Sequence, residues 1–367
     1  MDFTLSGEQL LIKDAARRFA AQPSRPRDAW PEFAKLGWLA LGTPEELGGF
    51  GGALERMLVA EELGRGLVLE PYATCAVFPA AILRAAGRLD LLEQLVEGES
   101  FAVAFEEPHG HDDPADIVTR ADATSGGYVL RGRKARISAR AGPATFIVSA
   151  RLGDGVALFA VPSQAAGLQR EDRATEDGTN AVSLELGGVA VGEDAQLAAS
   201  DGLALLGEGI DTCIGALCGE AVGLMSTMFE MTLEYLKVRQ QFGVPIGSFQ
   251  ALQHRMADMF VELELARSMA YLAAMTLDER AAPDKRSRSV SGAKVQIARS
   301  GRFVGQNAIQ LHGAIGMTDE YRLGGYFKRM TCIQRLLGDA DYHLARYAAL
   351  PAQRAEEHRV AAGAGAK

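Results

Sequence analysis

The densest polar segment of the 367-residue chain is Arg239-Gln240-Gln241-Phe242-Gly243, followed after Val244 by Pro245-Ile246-Gly247-Ser248-Phe249-Gln250. A guanidinium at a helix end, beside an aromatic ring and amide side chains, is equipped to hold a pyrophosphate and to stack on a ring system. The same residues equally make a polar turn between two helices, anchored by one aromatic. A second segment, Gln310-Leu311-His312-Gly313-Ala314-Ile315-Gly316-Met317, has small residues that let a backbone approach a ligand closely. It also has the form of a helix C-cap with its turn. His312 has no partner at metal-ligand spacing and reads as a hydrogen-bonded structural histidine. Glu106-Glu107-Pro108 with His109, His111, Asp112 and Asp113 groups acids and histidines, but no further ligands accompany them and no metal is expected. Neither a Gly-x-Ser-x-Gly elbow nor a nucleophilic cysteine context is present.

The elements that must position these segments fall into three parts. Residues 1–100 carry helical spacing: Ser6 and Gln9 have capping-box form ahead of Leu10, Leu11, Ala15 and Phe19, and helical stretches follow at 30–36, 54–63 and 82–95. Gly48-Gly49-Phe50-Gly51-Gly52 must be a loop, and with no Lys-Ser/Thr after it, it is not a phosphate loop. Residues 101–200 switch to short runs. Strands are expected at 128–130, 145–150, 156–161 and 182–186, in a small antiparallel barrel or sandwich. Residues 201–355 return to long helices. Ile210, Ile214, Leu217, Ala221, Leu224, Met228, Met231 and Tyr235 form one stripe, and Ile297, Gly301, Val304, Ala308 and Leu311 another, the seam of a four-helix bundle. Residues 356–367 read as a frayed tail.

Composition narrows the function classes. Lys and Arg number 38 against 47 Asp and Glu, a net charge of −9, which argues against a nucleic-acid binder relying on overall basicity. No apolar run suggests a membrane span, and the N-terminus lacks the pattern of a secretion signal. Cys75, Cys213, Cys218 and Cys332 match no zinc spacing and read as free thiols of a cytoplasmic protein.

Taken in order, the motifs resemble the acyl-CoA dehydrogenase family over nearly the whole chain. The N-terminal stretch from Trp30 to Gly52 is similar to the family's first helical domain. Glu107-Pro108 and Gly132-Arg133-Lys134-Ala135-Arg136-Ile137-Ser138 stand where the family has flavin-contacting strands, and the Arg239 and Gln310 segments are the most specific signatures. The resemblance implies an all-α N-terminal domain, a β-barrel middle domain and a C-terminal four-helix bundle. It implies FAD as cofactor, an acyl-CoA thioester as substrate and electron-transferring flavoprotein as acceptor. It assigns to Arg239, Gln241, Phe242, Phe249, Gln250, Gln310, Gly313 and Ala314 the binding of the adenosine-diphosphate part of a neighbouring subunit's FAD.

Several positions depart from the family pattern. Its carboxylate base stands at one of two places, held here by Leu337 and Cys213. Asp339 and Asp211 are substitute candidates, with Glu220 and Glu320 behind them. Asp339 and Asp341 also read as loop acids or helix caps, with Asp341 capping a helix from Tyr342. Glu106-Glu107-Pro108-His109-Gly110-His111-Asp112 replaces a Thr-Glu-Pro-Gly-x-Gly-Ser pattern, Arg136 stands where an indole is common, and Thr212, Cys213 and Ile214 follow Asp211 where many members have an arginine. Own-chain ligands are lost while those reaching toward a neighbour are kept. With Gly316 to Arg329 and Gly338-Asp339-Ala340-Asp341, this resembles the small subunit of heteromeric members of the pimeloyl-CoA dehydrogenase type, in an α2β2 assembly whose larger subunit supplies the base. The alternatives are a self-sufficient homo-oligomeric dehydrogenase with a relocated base, a flavin monooxygenase or oxidase on the same fold, and a scaffold that has lost FAD.

Overall fold

Ser6 opens the first helix, α1 (Gly7–Ala20), through a reciprocal cap. Its hydroxyl accepts from the Gln9 N–H at 3.2 Å, and Gln9 Oε1 accepts from the Ser6 N–H at 2.9 Å. The computed structural model describes residues 4–22, 28–110, 113–142, 144–197 and 201–350. The tail from residue 356, together with His111 and Asp112, lies outside the described residues. Four more helices complete the first part: α2 (Trp30–Lys35), α3 (Ala53–Arg65), α4 (Phe78–Ala85) and α5 (Leu89–Val96). A π-helical turn at Ala73–Val77 runs into α4. Phe19, Phe33, Trp38 and Tyr72 pack edge to face around α2, and Lys13 and Arg17 of α1 pair with Glu61 and Glu62 of α3 at 2.7 and 3.0 Å.

The middle part is a seven-stranded sheet: β1 (Phe101–Ala104), β2 (Arg120–Thr124), β3 (Gly127–Ser138), β4 (Thr145–Leu152), β5 (Gly155–Pro162), β6 (Leu168–Ala174) and β7 (Asn180–Val191), in the order β1-β4-β2-β3-β7-β6 with β5 also on β4. The expectation of a purely antiparallel sheet is amended. β1 runs parallel to β4, pairing Phe101 with Thr145 through Ala104 with Val148, and β2 meets β4 in parallel at Arg120 and Arg151. All four residues of β1 are buried, the mark of a strand covered on both faces.

The third part begins with α6 (Gly202–Val238), capped by Asp201. A hairpin of β8 (Gln240–Gln241) and β9 (Val244–Pro245) leads to α7 (Gln250–Asp278), and α8 (Pro283–His312), α9 (Leu323–Arg335) and α10 (Ala340–Ala349) follow. With 37 residues and mean hydropathy 1.4, α6 is long and apolar enough to cross a membrane, but 89% of its apolar window is buried inside the protein. α3 crosses α6 at backbone contact. A Cβ on Gly223 would strike the Glu61 carbonyl, and one on Gly64 the Glu220 carbonyl. These glycines account for part of the glycine-rich composition as close helix packing. One core runs without a break through the helices of both helical parts, and the sheet interior forms a second.

Candidate functional site

The sheet and the end of the bundle face each other across a cleft. It holds a cavity of about 490 Å³ lined by Glu106, Arg136 and Ser138 of the sheet side and by Arg329, Leu336 and Asp339 of the helical side, within the range of small-molecule sites. β3 carries a bulge between Lys134 and Ile137, and Arg136 in that bulge has φ +53°. Bulges of this kind re-aim a side chain beside a site. Arg136 is turned to Glu106, with Nε donating to Oε2 at 2.6 Å. Glu107, expected near a flavin-contacting strand, is withdrawn from the cleft. It accepts from the Val118 and Thr119 N–H groups, and Lys134 donates to it at 2.8 Å, both side chains fully buried. Burial raises the Glu107 pKa, but the Lys134 contact outweighs it and holds the carboxyl below its usual range.

Each position weighed as the proton-abstracting base is accounted for. Cys213 is sealed in the core: its thiol donates to the Ala73 carbonyl at 3.2 Å, and burial pushes its pKa well above the ordinary value. That contact closes the space between α6 and the π-helical turn. Leu337 is buried at φ +59°, and its carbonyl accepts from His343 Nε2 at 2.8 Å. Asp211 is fully buried and held by Arg286 at 3.0 Å, Ser287 at 2.7 Å and Arg346 at 2.8 Å, so it is a structural anion joining α6, α8 and α10. Glu220 is bound at both oxygens by Arg329, at 2.6 and 3.1 Å. Glu320 is exposed in the turn before α9. Asp339, not Asp341, caps α10: its Oδ1 accepts from the Asp341 and Tyr342 N–H groups at 3.0 and 2.9 Å. The correction follows from register, because the helix begins at Ala340, two residues earlier than a start at Tyr342.

Away from this cleft, at the C-terminal ends of α6 and α8, the second group of expected residues is laid open. Arg239 follows α6, Gln241 lies in β8, Phe242 and Gly243 make the hairpin tip, and Phe249 and Gln250 open α7. Phe242 is 90% exposed with φ +54°, an aromatic held outward on strained backbone, and Phe249 meets it edge to face at 6.1 Å. Arg239 is exposed and has no ion pair among the described residues. Gln310 is exposed near the end of α8, Gly313 is that helix's C-cap at φ +65°, and Ala314 is exposed in the turn after it. The two segments are brought together by a stack of Tyr235 on His312 with ring centroids 4.5 Å apart. His312 is also bonded to the Ala308 carbonyl at 2.8 Å and to the Tyr321 hydroxyl at 3.2 Å, the structural histidine its spacing suggested.

Three residues that sequence reasoning did not single out hold the cleft. Arg329 clamps Glu220 of α6 and Asp177 of the β6–β7 turn, the latter at 3.0 Å. Burial opposes its charge, but the two acids outweigh that and raise its pKa. Asp177 feels burial too, yet the Thr175 hydroxyl and Arg329 bring it down to about 2. Lys294, buried in α8, donates to the Leu336 carbonyl at 2.8 Å and to the Ile333 carbonyl, and burial lowers its pKa to about 8. His343 holds the Leu337 carbonyl, and burial, with the Lys294 and Arg346 charges, lowers its pKa to about 4. A lysine and a histidine at buried helical positions are the signal that was available.

A FAD spanning this chain's own cleft finds few ligands. Ser138 Oγ is shared with the Thr74 hydroxyl at 2.8 Å, Arg136 and Arg329 are neutralised by acids, and Asp339 lines the cavity where a diphosphate would be repelled. Arg239, without an ion pair among the described residues, and the exposed Phe242 suit a phosphate and ring system presented from outside the chain.

Comparisons with known proteins agree with this architecture. Residues 6–99 match the N-terminal domain of acyl-CoA dehydrogenase and residues 200–349 its C-terminal domain. The acyl-CoA dehydrogenase IpdE2 of Mycolicibacterium smegmatis is 32% identical over 315 residues, covering 85% of this chain and 84% of the relative. Among solved structures, the ChsE4–ChsE5 complex from Mycobacterium tuberculosis contains a chain 26% identical with TM-score 0.83, covering 96% of this chain and all of that one. The FAD complex of PigA is 26% identical with TM-score 0.86, covering 95% and 98%.

Proposed function

Because the chain belongs to the acyl-CoA dehydrogenase family, whose members are FAD-dependent oxidoreductases, we propose that it serves as the small subunit of a heteromeric enzyme desaturating an acyl-CoA thioester at Cα–Cβ. The observation that carries this reading is an asymmetry. Apart from Glu320, exposed in the turn before α9, the own-chain base candidates are apolar, sealed or committed to a partner, while Arg239, Gln241, Phe242, Gln310 and Ala314 are exposed. The heteromeric ChsE4–ChsE5 neighbour supports the same arrangement. A larger acyl-CoA dehydrogenase subunit would supply the carboxylate base, in an α2β2 assembly.

FAD, when bound, supplies the hydride acceptor of this family's reaction. In this reading the chain's own residues do the binding. Arg239 meets pyrophosphate charge, Phe242 and Phe249 pack against the adenosine, and Gln241, Gln250 and Gln310 offer amides. The Gly313–Ala314 backbone passes close to the ligand because neither residue carries a large side chain. The Tyr235–His312 stack keeps the two segments in register.

The test is FAD retention by the co-expressed complex. A charged hydrogen bond is worth about 1.5–3 kcal/mol, so Arg239→Ala should weaken FAD binding by ~10–100-fold while size-exclusion chromatography still shows the intact complex. Unchanged FAD retention in both Arg239→Ala and Phe242→Ala complexes would overturn the assignment.

A further inference from the structure

Arg56, in the first turn of α3, is a charged side chain buried without a counter-ion. It is 6% exposed, and its single hydrogen bond among the described residues runs from Nε to the Leu41 carbonyl at 2.9 Å. Asp278 and Glu55 act on it through space but neither is ion-paired with it. Both are engaged elsewhere. The Asp278 carboxylate accepts from the Ala53 and Leu54 N–H groups at 2.6 and 3.0 Å, and Glu55 accepts from the Gly52 N–H and Gln9 Nε2 at 2.6 and 2.8 Å. Leaving a guanidinium buried and unpaired is costly unless something else supplies the negative charge.

Arg56 lines a cavity of about 820 Å³ between the start of α3, the end of α4, the N-terminal half of α6 and the α7–α8 junction. Arg84, Arg280 and Arg286 line the same space. Arg84 donates from Nη2 to Glu208 at 3.2 Å, but its Nε is buried with no partner. Burial chiefly, and the Arg84 charge in addition, lower the affinity of Arg56 for its proton. Arg286 is paired with Asp211 at 3.0 Å, and Arg280 has φ +48° and no ion pair among the described residues. Four guanidiniums therefore line the cavity against two carboxylates, Glu208 and Asp278; with Arg286 neutralised by Asp211, the lining keeps an excess of one positive charge. The wall is closely fitted as well, since a Cβ on Gly42 would strike the Arg56 guanidinium.

We propose that this cavity is a binding site for a small dianionic oxyanion, a phosphoryl group or a dicarboxylate, held between Arg56 and Arg84. Guanidinium forks suit both chemistries because each presents paired oxygens in one plane. None of the lining residues belongs to the cleft of Arg136 and Asp339, so the site is independent of the flavin reading and survives if that reading fails.

The experiment is calorimetric titration and thermal melting of the full chain, alone or in its complex, with inorganic phosphate, pyrophosphate and succinate, each against KCl of matched ionic strength. The expected result is saturable binding of at least one of them at one site per chain. That binding should weaken at least tenfold in Arg56→Met and in Arg84→Gln. Ligand-free Arg56→Met should melt no lower than the parent protein, because an unpaired buried charge has been removed. Arg84 is only half-buried, so Arg84→Gln carries the test if Arg56→Met does not fold. Preference for the phosphates identifies a phosphoryl ligand, and preference for succinate a dicarboxylate. Absence of saturable binding of all three, or binding unchanged in the folded variants, overturns the proposal.

Discussion

Replacing His343 by asparagine and following unfolding from pH 7 to pH 4 tests how the loop beside the cleft is held. His343 is fully buried, with Nε2 bonded to the Leu337 carbonyl at 2.8 Å and Nδ1 to Ser291 Oγ at 3.2 Å. Burial first, then the Lys294 and Arg346 charges, lower its pKa from 6.5 to about 4, and Asp211 offsets this only in part. The ring is therefore neutral when folded and takes up a proton more readily when unfolded. Its contribution is fully present above pH 6.5 and is lost as pH falls toward 4. A difference of 2.5 pKa units, from 6.5 to about 4, at ~1.36 kcal/mol per unit corresponds to about 3 kcal/mol. In urea titrations followed by far-UV circular dichroism, the parent protein should lose that much more stability than His343→Asn between pH 7 and pH 4. A gap between the two proteins that stays constant to within about 0.5 kcal/mol would show that His343 titrates alike in both states, and the reasoning would be wrong.

Arg329→Met removes the clamp between Glu220 and Asp177 and leaves two buried carboxylates facing each other, so urea unfolding at pH 7 should show a loss of about 3–5 kcal/mol. That loss should shrink in acid. Asp177, lowered from 3.8 to about 2, contributes stability above pH 3.8 that disappears as pH falls through 2. A chromogenic disulfide reagent at pH 8 should leave Cys75, Cys213 and Cys218 unmodified in the native chain, since burial raises the first to about 11, the second well above its ordinary value and the third to about 12. All four cysteines should react after denaturation, and rapid labelling of Cys213 in the native chain would contradict its seal against Ala73.

The parts of the fold that were legible in the sequence are those fixed by local chemistry. The Ser6–Gln9 cap, the apolar stripe of α6 and the alternating strand around Val182 each contain their own signal within a few residues. β1 was not legible because Phe-Ala-Val-Ala is four residues long, buried on both faces, and shows no period. β6 was missed for the opposite reason: Leu168–Ala174 is a polar edge strand with nothing apolar to alternate. The site divides in the same way. Arg239, Phe242 and Gln310 lie in compact motifs. The Arg329 clamp joins residues 109 and 152 positions apart, and the Cys213–Ala73 contact spans 140. No spacing rule reaches that far, and only the folded chain shows that the base positions are filled.

The central claim is that this chain completes a flavin site it does not itself contain, and flavin stoichiometry tests it most directly. The protein would be purified alone and again after co-expression with a larger acyl-CoA dehydrogenase subunit, and the released FAD measured by its absorbance. The account predicts little flavin in the lone chain and one FAD for each pair of unlike subunits in the complex. One FAD per chain in the protein purified alone would contradict it.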